Sequence, residues 1–168
     1  QSIAESSLIN GLINYDKSQG WRGVLSNIFD DNITFEEAIT KIKNPFPTKW
    51  KLVKVDSVES LTLSLTNEEF FKFKVDLNQN LNKWLVNKEF KKGDLLFVEK
   101  KESQYVIMQI PEANGAIIVI QPHSGDILAM SGGFSFAMSE FNRSTQAKRQ
   151  SGSAFKPFVY ISALKQGF

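Results

Sequence analysis

The 168 residues contain no cysteine and a single histidine, His123. The first absence excludes disulfides, zinc–thiolate sites and thiol nucleophiles. The second excludes a multi-histidine metal centre and leaves a Ser-His-Asp triad only His123 to use. No apolar run approaches the roughly 18 residues that span a bilayer, and no signal-peptide pattern stands at the N-terminus. Because the chain starts at Gln1, it is expected to be a piece of a longer protein. Arginine is missing between residues 41 and 101, where all 13 basic residues are lysine. Nucleic-acid recognition, which favours forked guanidinium groups with aromatic platforms, is therefore not expected.

What is present is ordinary for a globular chain: 42% hydrophobic residues, 23% charged residues and a net charge of +2. The charge is unevenly spread. Residues 1–40 carry 2 basic and 6 acidic groups (net −4), residues 41–101 carry 13 and 8 (net +5), and residues 102–168 carry 5 and 4 (net +1).

Three stretches follow from periodicity. In residues 1–44, Leu8, Leu12 and Tyr15 form one helical ridge and Ile9 and Ile13 the next, up to Gly20 and Gly23. Thr34-Phe35-Glu36-Glu37 reads as a capping box that opens a second helix, stopped by Asn44-Pro45-Phe46-Pro47. Residues 45–106 switch to period two. Strands are expected at Leu52–Val55, Val58–Leu65, Phe71–Val75, Leu95–Val98 and Tyr105–Ile110, and five short strands suggest a small antiparallel barrel of oligonucleotide/oligosaccharide-binding (OB-like) type. Residues 107–168 open with a hairpin, Ala116–Ile120 and Asp126–Met130 around Pro122-His123-Ser124-Gly125. A polar loop Ser139–Arg149 and an apolar-periodic helix ending at Gly167 complete the stretch. The fold class is α+β, with the barrel set beside the hairpin and the last helix.

The chemistry-bearing motif is Ser153-Ala154-Phe155-Lys156. Spacing three puts the two polar groups on one helix face. A desolvated, neutral Lys156 amine can then take the Ser153 proton, and the positive end of a helix favours the developing anion. The tetrapeptide alone is weak evidence, since two residue types at fixed spacing recur in about one window in a hundred. Its plain alternative is a Ser153 helix cap with a surface Lys156. Pro157 disfavours the α conformation at Lys156, so the first turn is expected to be irregular or tightened.

The surrounding strings sharpen the reading. Gln109–Ala116, Gly125-Asp126-Ile127-Leu128-Ala129-Met130-Ser131-Gly132-Gly133, Ser139–Ala147 and Gly152–Tyr160 resemble, in order and spacing, the start of the transpeptidase domain of class A penicillin-binding proteins. Tyr15–Gly23 resembles the linker that follows that family's glycosyltransferase domain. The likeness is weak over 50–106, where only Gly93-Asp94 and the strand pattern match the family's OB-like insert.

The resemblance implies a cell-wall synthase in which Ser153 attacks the D-Ala-D-Ala carbonyl of a peptidoglycan stem peptide and Lys156 is the general base. β-Lactam antibiotics would be trapped on the same serine. It implies no metal and no cofactor. The parent would lie on the periplasmic side of the bacterial inner membrane, held by an anchor outside this chain. The alternative is a regulatory docking module, in which the OB-like stretch binds a protein activator and this piece catalyses nothing. Ser151 stands where the family usually has Pro, and Gln121-Pro122 and Ser124-Gly125 replace the usual hairpin residues. The family's Ser-x-Asn and Lys-Thr-Gly motifs are expected beyond Phe168; Ser60-Leu61-Thr62 and Lys101-Glu102-Ser103 do not replace them.

Other prominent residues have plainer expectations. His123 reads as a solvated turn residue, and Asp16 with Arg22 as a structural network. Glu140, Asn142 and Arg143 read as scaffold, Trp50 and Trp84 as core, and Phe70, Phe71 and Phe73 as core flanked by solvated lysines.

Overall fold

The computed structural model describes all residues, 1–168. Helix α1 (Ser2–Gln19) ends at Gly20, whose φ of 100° suits glycine. A two-residue strand, β1 (Ser26–Asn27), follows. Helix α2 (Phe35–Lys41) opens on the expected capping box: Thr34 Oγ1 accepts from the Glu37 amide and the Glu37 carboxylate accepts from the Thr34 amide.

All five expected strands form: β2 (Trp50–Glu59), β3 (Thr62–Asn67), β4 (Lys72–Asp76), β5 (Asp94–Lys101) and β6 (Gln104–Met108). Val58 belongs to β2, paired with Leu63 across a tight turn at Ser60, and does not start β3. The ladder runs β5–β2–β3–β4, and β1 and β6 share the far side of β5. Every pairing is antiparallel.

The barrel expected from the sequence does not close. No ladder joins β4 to β6, so the sheet is curled and open. The physical reason lies in the connection between β4 and β5. The fully buried Asn82 accepts from the Ile107 amide at 2.9 Å and donates to the Tyr105 carbonyl at 2.9 Å. A side-chain amide thus takes the place of a neighbouring strand on the edge of β6. The Phe73 and Tyr105 rings stack across the gap at 4.0 Å.

The sheet is buried on two faces. One cluster gathers Val53, Val55, Leu63, Leu65, Val75, Leu96, Val98 and Ile107. The other takes the alternate residues Trp50, Leu52, Leu95, Phe97, Val106 and Met108, together with Ile13 of α1, Phe35 and Ala38 of α2, and Phe134. That second cluster is built from residues before, within and after 45–106. Of the expected phenylalanine core only Phe73 packs inward; Phe70 and Phe71 are exposed at the β3–β4 turn.

A second sheet is the hairpin β7 (Ile117–Ile120) and β8 (Ile127–Ser131), against which α1 lies. Leu8 and Leu12 meet the chain at Gly115, just before β7. Last come a 3-10 turn at Gly152–Phe155 and helix α3 (Lys156–Lys165). Gly167, with φ of 86°, closes α3: its amide bonds the Leu164 carbonyl and that of Phe168 the Ala163 carbonyl. No helix is long and apolar enough to cross a membrane.

Candidate active site

Ser153 sits inside the 3-10 turn and Lys156 begins α3. Residues i and i+3 eclipse in a 3-10 turn, so the two side chains leave on the same side. Gly152, with φ of 54°, makes the bend that starts the turn. Pro157 occupies the first turn of α3, where a missing amide costs no helical hydrogen bond. Lys156 is α-helical (φ −55°, ψ −43°) despite the proline after it, and the irregularity falls one turn earlier, as 3-10 winding.

Ser153 makes no side-chain cap, and both Ser153 and Lys156 are exposed. Every residue of α3 except the half-buried Ala163 is exposed; Phe158, Val159, Tyr160, Ile161 and Leu164 are each more than half accessible.

The loop ahead of this turn is braced from behind. The Arg143 amide donates to the Gly132 carbonyl at 2.9 Å, and Asn142 Oδ1 accepts from the Ser144 amide at 3.0 Å. A Cβ at Gly132 would lie 2.0 Å from Asn142 Oδ1, so only glycine fits there. The Asn142 side chain and the Arg143 backbone amide therefore brace the loop itself.

A second polar centre sits where the chain enters and leaves the large sheet. The buried Asp16 carboxylate accepts from both terminal nitrogens of Arg22, at 2.7 and 3.1 Å, and from Gln109 Nε2 at 2.7 Å. Gln109 Oε1 accepts from the Arg22 amide, and Arg22 Nη2 donates to the Ile110 carbonyl. Glu112 lies 3.2 Å from Arg22 Nε. Hydrogen bonding to Asp16 pushes the guanidinium above its usual value, so Arg22 stays charged. Sequence reasoning found Asp16 and Arg22. It missed Gln109, 93 residues from Asp16 along the chain; the only signal was a polar residue at the end of an apolar strand.

His123 lies exposed in the β7–β8 turn. Trp50 is core, 1% exposed. Trp84 is partly buried edge-on to Trp21 at 5.5 Å, beneath the Lys17 ammonium.

The turn carrying Ser153 and Lys156 falls within a recognised domain: residues 115–168 match the penicillin-binding protein transpeptidase domain. Over 99% of its length the chain is similar to penicillin-binding protein 1A of Rickettsia felis (39% identical) and of Escherichia coli K12 (27%). The crystal structure of penicillin-binding protein 1A from Haemophilus influenzae superposes on the whole chain with a TM-score of 0.81 at 28% identity, covering 26% of that structure. Over nearly its whole length the chain is thus similar to class A penicillin-binding proteins. Its relatives along the full length are penicillin-binding proteins 1A, of which it spans 22%.

Proposed function

We propose that this chain is part of a peptidoglycan synthase and that Ser153 is its acyl-carrying nucleophile. Ser153 Oγ bonds to the carbonyl carbon of the penultimate D-Ala of a stem peptide. The peptide bond to the terminal D-Ala breaks, and the proton passes through the Lys156 amine to the departing amine. An amine of a second stem peptide then attacks the ester, releases Ser153 and leaves a cross-link. A β-lactam opened by the same attack stays on Ser153. What supports this reading is that Ser153, in the 3-10 turn, and Lys156, three residues on at the start of α3, fall inside the stretch matching the transpeptidase domain.

The same reading divides the chain into a linker with the edge of the transpeptidase (1–44), an insert (45–106) and the start of the transpeptidase (107–168). It places the parent protein on the periplasmic side of the inner membrane, with an anchor and a glycosyltransferase outside this chain. A second role belongs to the insert. The exposed Phe70 and Phe71 at one turn, on a stretch of net charge +5, favour docking of an acidic protein regulator.

The test is release of D-Ala from a D-Ala-D-Ala-terminated peptide by the whole protein. Ser153→Ala is expected to abolish release; release at the native rate refutes the assignment.

A further inference from the structure

The inference concerns the donor substrate and rests on Ser153 being the nucleophile. From Phe141 to Phe168 there are five basic residues, Arg143, Lys148, Arg149, Lys156 and Lys165, and no acidic one. Three of them face one cavity of about 590 Å³, whose lining includes Asn114, Arg143, Lys148 and Arg149 but no carboxylate. Glu140 points elsewhere: it lines the neighbouring cavity with Glu5.

Arg22, Lys51, Lys54, Lys74 and Lys101 each form an ion pair; Arg143, Lys148 and Arg149, like the remaining lysines, form none within this chain. Arg143 is half-buried and held in place. Its backbone amide bonds Gly132, its Nη1 donates to the Phe141 carbonyl at 3.1 Å, and its guanidinium lies 5.5 Å from the centre of the Phe141 ring. One of five guanidinium donors is therefore used, and the fork is oriented without an acid. Asn114 spends its Oδ1 on the amides of Gly115 and Phe134, which leaves its NH₂ as a further donor in the lining.

Converging donors and uncompensated positive charge define a carboxylate site. Ser153 is four positions beyond Arg149, so the site lies within about 14 Å of the nucleophile along the chain. We propose that this cavity binds a carboxylate borne by the acyl-donor peptide, within about four residues of the bond that is cleaved, and so selects acidic donors over their amidated forms.

The experiment uses the whole protein and two synthetic D-Ala-D-Ala-terminated peptides that differ only in a carboxylate or a carboxamide at an upstream side chain. The readout is the ratio of kcat/KM for D-Ala release, acid over amide. For the native protein the ratio is expected to be about tenfold or more, the worth of one hydrogen bond to a charged group. In the triple variant Arg143→Gln, Lys148→Gln, Arg149→Gln it is expected to fall to about one, and Arg143→Lys alone is expected to keep part of it. Penicillin labelling of Ser153 verifies that the triple variant retains a folded site. A native ratio of one, or a native-sized ratio in the labelled triple variant, overturns the carboxylate site. D-Ala release that survives Ser153→Ala instead overturns the nucleophile on which it rests.

Discussion

Asp16 is the residue on which the crossing of the chain depends. Its side chain is 4% exposed and that of Arg22 is 31% exposed. Asp16→Ala strands the guanidinium and the Gln109 amide. Urea unfolding should show a loss of about 3 kcal/mol, the low end for breaking a buried pair; a loss below about 1 kcal/mol would show that water replaces the carboxylate. Asn82→Leu leaves the Ile107 amide and the Tyr105 carbonyl without partners. It should cost about 2–6 kcal/mol at 1–3 per orphaned group, with faster hydrogen exchange at Ile107.

Lys17 behaves oppositely. Burial, reinforced by Lys101 against a weaker pull from Glu99, pushes its ammonium below the ordinary 10.5. Between the folded value and 10.5 the unfolded chain binds more protons, so this group makes stability rise with pH in that window. Lys17→Met removes the contribution. Its gain over the native chain should be larger at pH 7 than at pH 10, and a gain that grows toward pH 10 contradicts the burial argument. The Thr34–Glu37 capping box was legible in the sequence because its signals lie within three residues of one another. Gln109 and Asn82 were not, because their partners come from distant positions that only the fold brings together.

At the scale of elements, legibility followed burial. β3 and β4 show period two because one face packs on the core while Thr62, Ser64, Lys72 and Lys74 face outward. β2, β5 and β6 blur it because both faces are buried, as Leu95-Leu96-Phe97-Val98 shows. The closed barrel was misjudged for a related reason: strand count and period are visible in sequence, but the Asn82 amide on the edge of β6 is not. Helix α3 has 10 residues and no buried one. A helix that short is marginal in water without packing. In the 168-residue chain its amides should exchange at near-unprotected rates while those of β2 and β5 reach the global limit. Protection of α3 equal to β5 would mean that its apolar face is covered, as by self-association.

For the whole molecule, the shared cluster decides what can be removed. Excising 46–106 takes Trp50, Leu52, Leu95, Phe97 and Val106 away from Ile13, Phe35, Ala38, Met108 and Phe134. The remainder should lose cooperative thermal unfolding, and a sharp transition in the excised chain would show that α1, α2 and the hairpin hold together alone. Trp50→Ala, at a site 1% exposed, should cost about 3–5 kcal/mol by urea unfolding and weaken all three parts together. The resemblance to the family came from long strings around the Ser153–Lys156 turn, inside the stretch that matches the transpeptidase domain.

The most direct measurement is the site of the penicillin adduct in the whole protein, mapped by mass spectrometry of its peptides. The expected adduct lies on the peptide containing Ser153. It is absent in Ser153→Ala, and in Lys156→Arg it forms at least about a hundredfold more slowly, as the loss of a general base requires. An adduct that persists in Ser153→Ala, or forms at the native rate in Lys156→Arg, would contradict the assigned pair.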